Sequence, residues 1–113
     1  MSVTIWHNPR CSKSRRALAI VREQGIEPEI VEYLNDPPSM QQLRDVVELT
    51  GKKPSEFVRT GEKVFKELEL KGSDDDTLLA AMSANPILIE RAIVFANGKA
   101  IIARPPEDVT EIL

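Results

Sequence analysis

The chain has 113 residues, 42% of them apolar and 29% charged, and its 15 Lys and Arg against 18 Asp and Glu give a formal net charge of −3. That length suits one compact domain, residues 1–113, which can bury a core without metals or disulfides. The acidic balance argues against nucleic acid as the main partner, and no apolar stretch reaches membrane-spanning length.

The one cysteine excludes an internal disulfide. The N-terminus carries neither the charged region nor the apolar run of a secretory signal. A reduced protein of the cytoplasm is therefore expected.

Val3 to His7 reads as a short apolar strand, broken by the turn formers Asn8 and Pro9. A helix is expected from Ser12 to Gln24, with Ala17, Leu18, Ile20 and Val21 inward and Gly25 at its end. Glu29 to Leu34 alternates and reads as a second strand, so the first third is a strand–helix–strand crossover with a parallel pair.

After Asn35-Asp36-Pro37-Pro38, Ser39 and Gln42 form a capping box for a helix that Gly51 closes. Short helices are expected from Pro54 to Arg59 and from Glu62 to Leu70. Ser73 to Asp76 supplies a cap and three carboxylates for a helix running to about Ala84. Ala92 to Phe95 and Lys99 to Ala103 are strands joined by an Asn97-Gly98 hairpin turn, and a last helix opens at Pro105-Pro106. The order βαβ, helical insertion, β-hairpin, closing helix fits a thioredoxin-like α/β sandwich.

Cys11 falls where the first strand hands over to the first helix. Unpaired amides and the positive end of the helix dipole there favour a thiolate and can also bind an anion. The plain alternative is a small buried apolar residue. Lys13, Arg15 and Arg16 occupy the first turns of this helix, where cations oppose the dipole unless an anion binds; they can equally point into water. His7, as imidazolium, would favour the thiolate. Ser14 can donate to the sulfur or cap the helix. Cys11 to Ser14 has CxxC spacing with oxygen in place of the second sulfur. An oxidised Cys11 thus needs an external thiol, and glutathione with glutaredoxin is the cytoplasmic source.

The stretch His7-Asn8-Pro9-Arg10-Cys11-Ser12-Lys13-Ser14-Arg15 resembles the active-site signature of glutaredoxin-coupled arsenate reductases. The resemblance extends through Tyr33-Leu34, Phe57-Val58-Arg59, Phe65-Lys66-Glu67-Leu68, Asn85 to Arg91 and Ala103-Arg104-Pro105. It implies Cys11 as nucleophile, His7 as the residue that tunes it, and Arg59, Arg91 and Arg104 as ligands of the oxyanion. Planar guanidinium forks suit tetrahedral oxyanions.

It further implies reduction of arsenate to arsenite through a thiol-arsenate adduct, in a monomer with no bound cofactor or metal and with glutathione as co-substrate. Where the family usually has proline after the arginine matching Arg91, this chain has Ala92. A non-proline cis bond costs about 3 kcal/mol, so a trans Arg91–Ala92 bond is expected. Two other readings remain: a thiol reaction on another oxyanion or a glutathione mixed disulfide, and a redox-sensing binding module of the same fold.

Overall fold

The computed structural model describes residues 2–113. The backbone groups into two compact units, one formed by residues up to Asp36 together with Arg91–Leu113, the other by Pro37–Glu90. No helix among the described residues is long and apolar enough to cross a membrane.

The first unit contains β1 (Val3–Trp6), α1 (Ser12–Glu23), β2 (Glu29–Val31), β3 (Ile93–Ala96) and β4 (Lys99–Ile102), followed by a 3-10 helix at Pro106–Glu111. The sheet runs β2-β1-β3-β4. β1 is parallel to β2 and antiparallel to β3, and β3 and β4 form the antiparallel hairpin. The hairpin turn places both Asn97 (φ 54°) and Gly98 (φ 71°) in the left-handed region, as a two-residue turn matched to strand twist requires.

α1 carries the crossover between the parallel strands. Its Ala17, Ile20 and Val21 pack with Val3 and Ile5 of β1, Val94 and Ala96 of β3, and Val109 and Ile112 of the closing 3-10 helix. Each fully buried Val or Ile here contributes about 1.5–3 kcal/mol of transfer free energy.

The second unit contains α2 (Met40–Thr50), α3 (Pro54–Phe57), α4 (Lys63–Glu67), α5 (Asp75–Ala84) and a 3-10 turn at Pro86–Leu88. The Ser39–Gln42 capping box forms in both directions, at 2.9 and 3.1 Å, and Gly51 ends α2 with φ 71°. The cap of α5 is Asp74, which accepts from the Thr77 amide at 2.9 Å, and not Ser73 one residue earlier, so only Asp75 and Asp76 remain as first-turn carboxylates. Leu43 and Val46 of α2, Phe57 of α3, Leu79 and Met82 of α5, and Leu88 and Ile89 are buried.

Several elements are shorter than the sequence pattern predicts. β2 stops at Val31 because the amides of Asn35 and Asp36 both bond the Glu32 carbonyl, at 2.9 and 3.0 Å, and turn the chain. α3 ends at Phe57 because Val58 leaves the helix to bridge Ile89, and the Arg59 amide bonds the Leu88 carbonyl at 2.7 Å. The closing helix is 3-10 rather than α, starting with Pro106.

α4 starts at Lys63, with Glu62 in the cap position, and ends in a reversal where the Glu69 amide bonds the Lys66 carbonyl and the Leu70 amide the Phe65 carbonyl, at 3.1 and 3.2 Å. That pattern puts Glu69 at the left-handed C′ position (φ 53°), where glycine is the usual residue. The left-handed conformation costs a side-chain-bearing residue about 1–2 kcal/mol, whereas glycine adds about 0.5–1 kcal/mol of chain entropy to the unfolded state. Glu69→Gly should therefore stabilise the protein by up to about 1 kcal/mol, read as a higher urea midpoint at unchanged m-value; a lower midpoint would contradict this account of the α4 terminus.

Candidate active site

The sheet register decides which side chains can meet Cys11. Trp6 pairs with Ile93, and Ile93 with Ile102. One step further the Ala103 amide bonds the Ala92 carbonyl at 2.8 Å. Arg91 and Arg104 therefore emerge at the same end of the sheet as His7, the end where the chain turns from β1 into α1.

Cys11 is the N-cap residue of α1 and only 9% exposed. Its amide bonds the Asn8 carbonyl and its carbonyl accepts the Arg15 amide, both at 3.0 Å. The Arg91 Nε donates to Cys11 Sγ at 2.9 Å across 80 residues of sequence. Burial pushes the Cys11 thiol pKa up, but the Ser14 amide, the Arg91 guanidinium and the Lys13 amide together hold it below its ordinary value. The two amides occupy the N3 and N2 positions of α1, where backbone N–H groups lack helical partners and the helix dipole is positive, next to the Cys11 N-cap.

His7 and Ser14 lie beneath this loop, 6% and 0% exposed. His7 Nδ1 and Ser14 Oγ are 2.7 Å apart, and the Asn8 amide donates to Ser14 Oγ at 2.9 Å. Burial lowers the His7 pKa, with Arg22 and Arg15 adding to the effect and Glu32 opposing it. The ring is therefore neutral at neutral pH, which corrects the expectation of an imidazolium beside the thiolate. With its hydroxyl accepting from Asn8, Ser14 still has a proton and a lone pair with which to meet Nδ1 in either neutral tautomer of the ring. Ser14 thus serves the sulfur through its backbone amide, while its hydroxyl ties His7 to the loop.

Arg15 and Arg16, two of the three cations at the start of α1, have other partners than an anion. Arg15 Nη1 donates to the Pro9 carbonyl at 2.9 Å, clasping the loop that precedes Cys11. Arg16 pairs with Glu23 at 3.2 Å and Glu107 at 3.5 Å. The loop contacts of Asn8 and Pro9 were not among the residues singled out from sequence; the Asn-Pro turn signal was the available pointer.

The Arg91–Ala92 bond is cis, not the trans form expected without proline. Ala92 is completely buried and its carbonyl is fixed by the Ala103 amide, so tertiary packing sets the chain conformation here. Arg104 follows β4 with an exposed side chain, its amide bonded to the Ile102 carbonyl at 2.8 Å. Arg59 belongs to the second unit, where its Nη2 pairs with Glu62 Oε2 at 2.9 Å. Among the described residues no three His, Cys, Asp or Glu side chains are grouped as a metal site would need.

The ArsC family profile matches residues 6–112 of this chain. The Escherichia coli K12 protein YfgD, described as uncharacterized, is 49% identical over 98% of this chain and 96% of its own length. An arsenate reductase of Neisseria meningitidis serogroup A is 43% identical over 98% of this chain and 97% of its own. The solved structure of an arsenate reductase from Vibrio cholerae superposes with a TM-score of 0.96 at 47% identity, covering 100% of this chain and 98% of that one. The thioredoxin-like α/β architecture expected from the element order is that of these neighbours.

The Arg91 contact makes a checkable statement about the sulfur. Arg91→Gln removes a hydrogen bond and a positive charge that both favour the thiolate. The pH profile of Cys11 alkylation should move to higher pH, and the rate at neutral pH should fall severalfold. An unchanged profile would show that the guanidinium does not hold the thiolate.

Proposed function

The chain belongs to the ArsC family, and from that membership we propose that it is an oxidoreductase that reduces arsenate to arsenite in the cytoplasm. The Cys11 thiolate forms a bond to arsenic and an arsenate oxygen leaves as water after taking up protons, giving a thiol-arsenate adduct. Two glutathione thiols then supply the two electrons that take arsenic from the pentavalent to the trivalent state. The first joins arsenic with loss of water, the glutaredoxin thiolate takes it off as a mixed disulfide while the electron pair stays on arsenic, the second releases it from glutaredoxin as glutathione disulfide, and water cleaves the Cys11–arsenic bond to give arsenite and the free thiol. The chain's one cysteine makes an external thiol necessary, since no resolving sulfur exists within it.

The observation that carries this reading is the 2.9 Å contact from Arg91 Nε to a sulfur whose pKa is lowered at a helix start. A guanidinium already on the nucleophile places a positive charge where a substrate oxyanion would bind. We assign Arg104 and Arg59 as the other oxyanion ligands, His7 and Ser14 as the groups that set the loop beneath Cys11, and the working form as a single-domain monomer with no bound cofactor. Phosphate, equal to arsenate in charge and shape, should compete.

The test is arsenite release with glutathione and glutaredoxin present, comparing the wild-type chain with Cys11→Ser. Wild-type release well above the serine variant, inhibited by phosphate, is the expected result. Equal rates would remove arsenate reduction as the function, and activity with glutathione mixed disulfides in the same assay would install the alternative thiol reaction.

A further inference from the structure

Glu62 stands at the N-cap position of α4 with extended backbone (φ −75°, ψ 143°), yet its side chain caps no helix amide. It turns back instead to Arg59, with Nη2 and Oε2 2.9 Å apart. Both side chains are about three-quarters buried, at 24% and 23% exposure. The pairs Arg16–Glu23, Arg16–Glu107, Arg22–Glu27, Arg44–Asp76 and Lys63–Glu67, by contrast, have both partners at least 48% exposed. Exposed pairs contribute little, whereas a shielded pair interacts through a lower effective dielectric and depends on its geometry.

The backbone around Arg59 is pinned. Its amide bonds the Leu88 carbonyl at 2.7 Å, its carbonyl accepts the Glu62 amide at 3.3 Å, and the neighbouring Phe57 carbonyl accepts the Glu90 amide at 2.9 Å. Arg59 therefore has a fixed origin from which to swing. The Glu62 carboxylate leaves the α4 amides uncapped and holds that guanidinium instead.

We propose that Glu62 is an internal, displaceable competitor for the oxyanion at Arg59, and so sets how tightly the protein holds arsenate and phosphate. This rests on the assignment of Arg59 as an oxyanion ligand. In the absence of substrate the carboxylate occupies the guanidinium. An incoming oxyanion must displace or share it, working against the nearby negative charge. Glu62 weakens phosphate and arsenate alike, but arsenate gains the bond to Cys11 in addition, so the competitor keeps abundant phosphate from occupying the protein. The trivalent product is neutral at physiological pH and does not compete with the carboxylate, so return of Glu62 to Arg59 accompanies its departure.

The experiment uses the full chain and measures the concentration of phosphate, and separately of arsenate, that half-protects Cys11 from alkylation. Glu62→Gln keeps the shape and removes the charge; Glu62→Ser removes the charge and supplies a good helix cap, so α4 is retained in at least one variant. Both should tighten half-protection by roughly three- to tenfold, the effect of deleting one like charge near an anion. Unchanged or weaker protection in both would overturn the proposal and make Glu62 a positioning residue for Arg59. Arg59→Ala separates the two levels. If it weakens protection while the Glu62 variants do not tighten it, the competitor fails and the ligand assignment stands. If it leaves protection unchanged, the ligand assignment fails and the competitor falls with it.

Discussion

The contact between Arg91 Nε and Cys11 Sγ, 2.9 Å long, is the interaction on which the candidate site turns. It joins residues 80 positions apart, so no local feature produces it. It exists because β3 lies beside β1 in one particular register, Trp6 opposite Ile93. A slip of one residue would carry Arg91 to the opposite face of the sheet. What holds the register is the buried alternation of Val3 and Ile5 against Val94 and Ala96, packed under α1. The chemistry of the sulfur is thus a consequence of aliphatic packing several ångströms away.

Around the sulfur the balance of effects is close. Burial disfavours the charged thiolate, and two helix amides plus one guanidinium reverse that. The neutral state of His7 belongs to the same balance. A protonated ring would add positive charge, but it would sit 6% exposed with its Nδ1 facing the Ser14 hydroxyl. A neutral ring pairs with the Ser14 hydroxyl, which accepts from the Asn8 amide in turn. The loop from Asn8 to Cys11 is then tied at Asn8 to Ser14 and at Pro9 to Arg15. A nucleophile held by its own loop needs little reorganisation when substrate arrives.

Most of the fold was legible in the sequence because its signals are local. Ser39 and Gln42, Gly51, and Asn97-Gly98 each form the cap or turn that their chemistry dictates. The failures are where a nonlocal partner decides. Val58 has helical neighbours but bridges Ile89, and the chain after Val31 turns on the Glu32 carbonyl. Ala92 lacks the ring that favours a cis bond, yet a fully buried strand junction adopts one. Glu69 takes a glycine's conformation because the chain must reverse into Leu70, a buried residue. Local rules read propensity, and each of these positions is set by what packs against it.

The same distinction governs the charges. Lys13, Arg15 and Arg16 looked like an anion site because they crowd the start of α1. Proximity in sequence is a poor guide to where a long flexible side chain ends. Arg15 returns to the Pro9 carbonyl, and Arg16 reaches two carboxylates, one on its own helix and one at Glu107. The chain has eight arginines, and Arg91, which touches the sulfur, arrives from the far end of the sequence. Composition alone could not choose it, since each of these arginines carries the same charge and the same donors. Only the strand order distinguishes Arg91, by delivering it to the single place where helix amides already point at a buried sulfur.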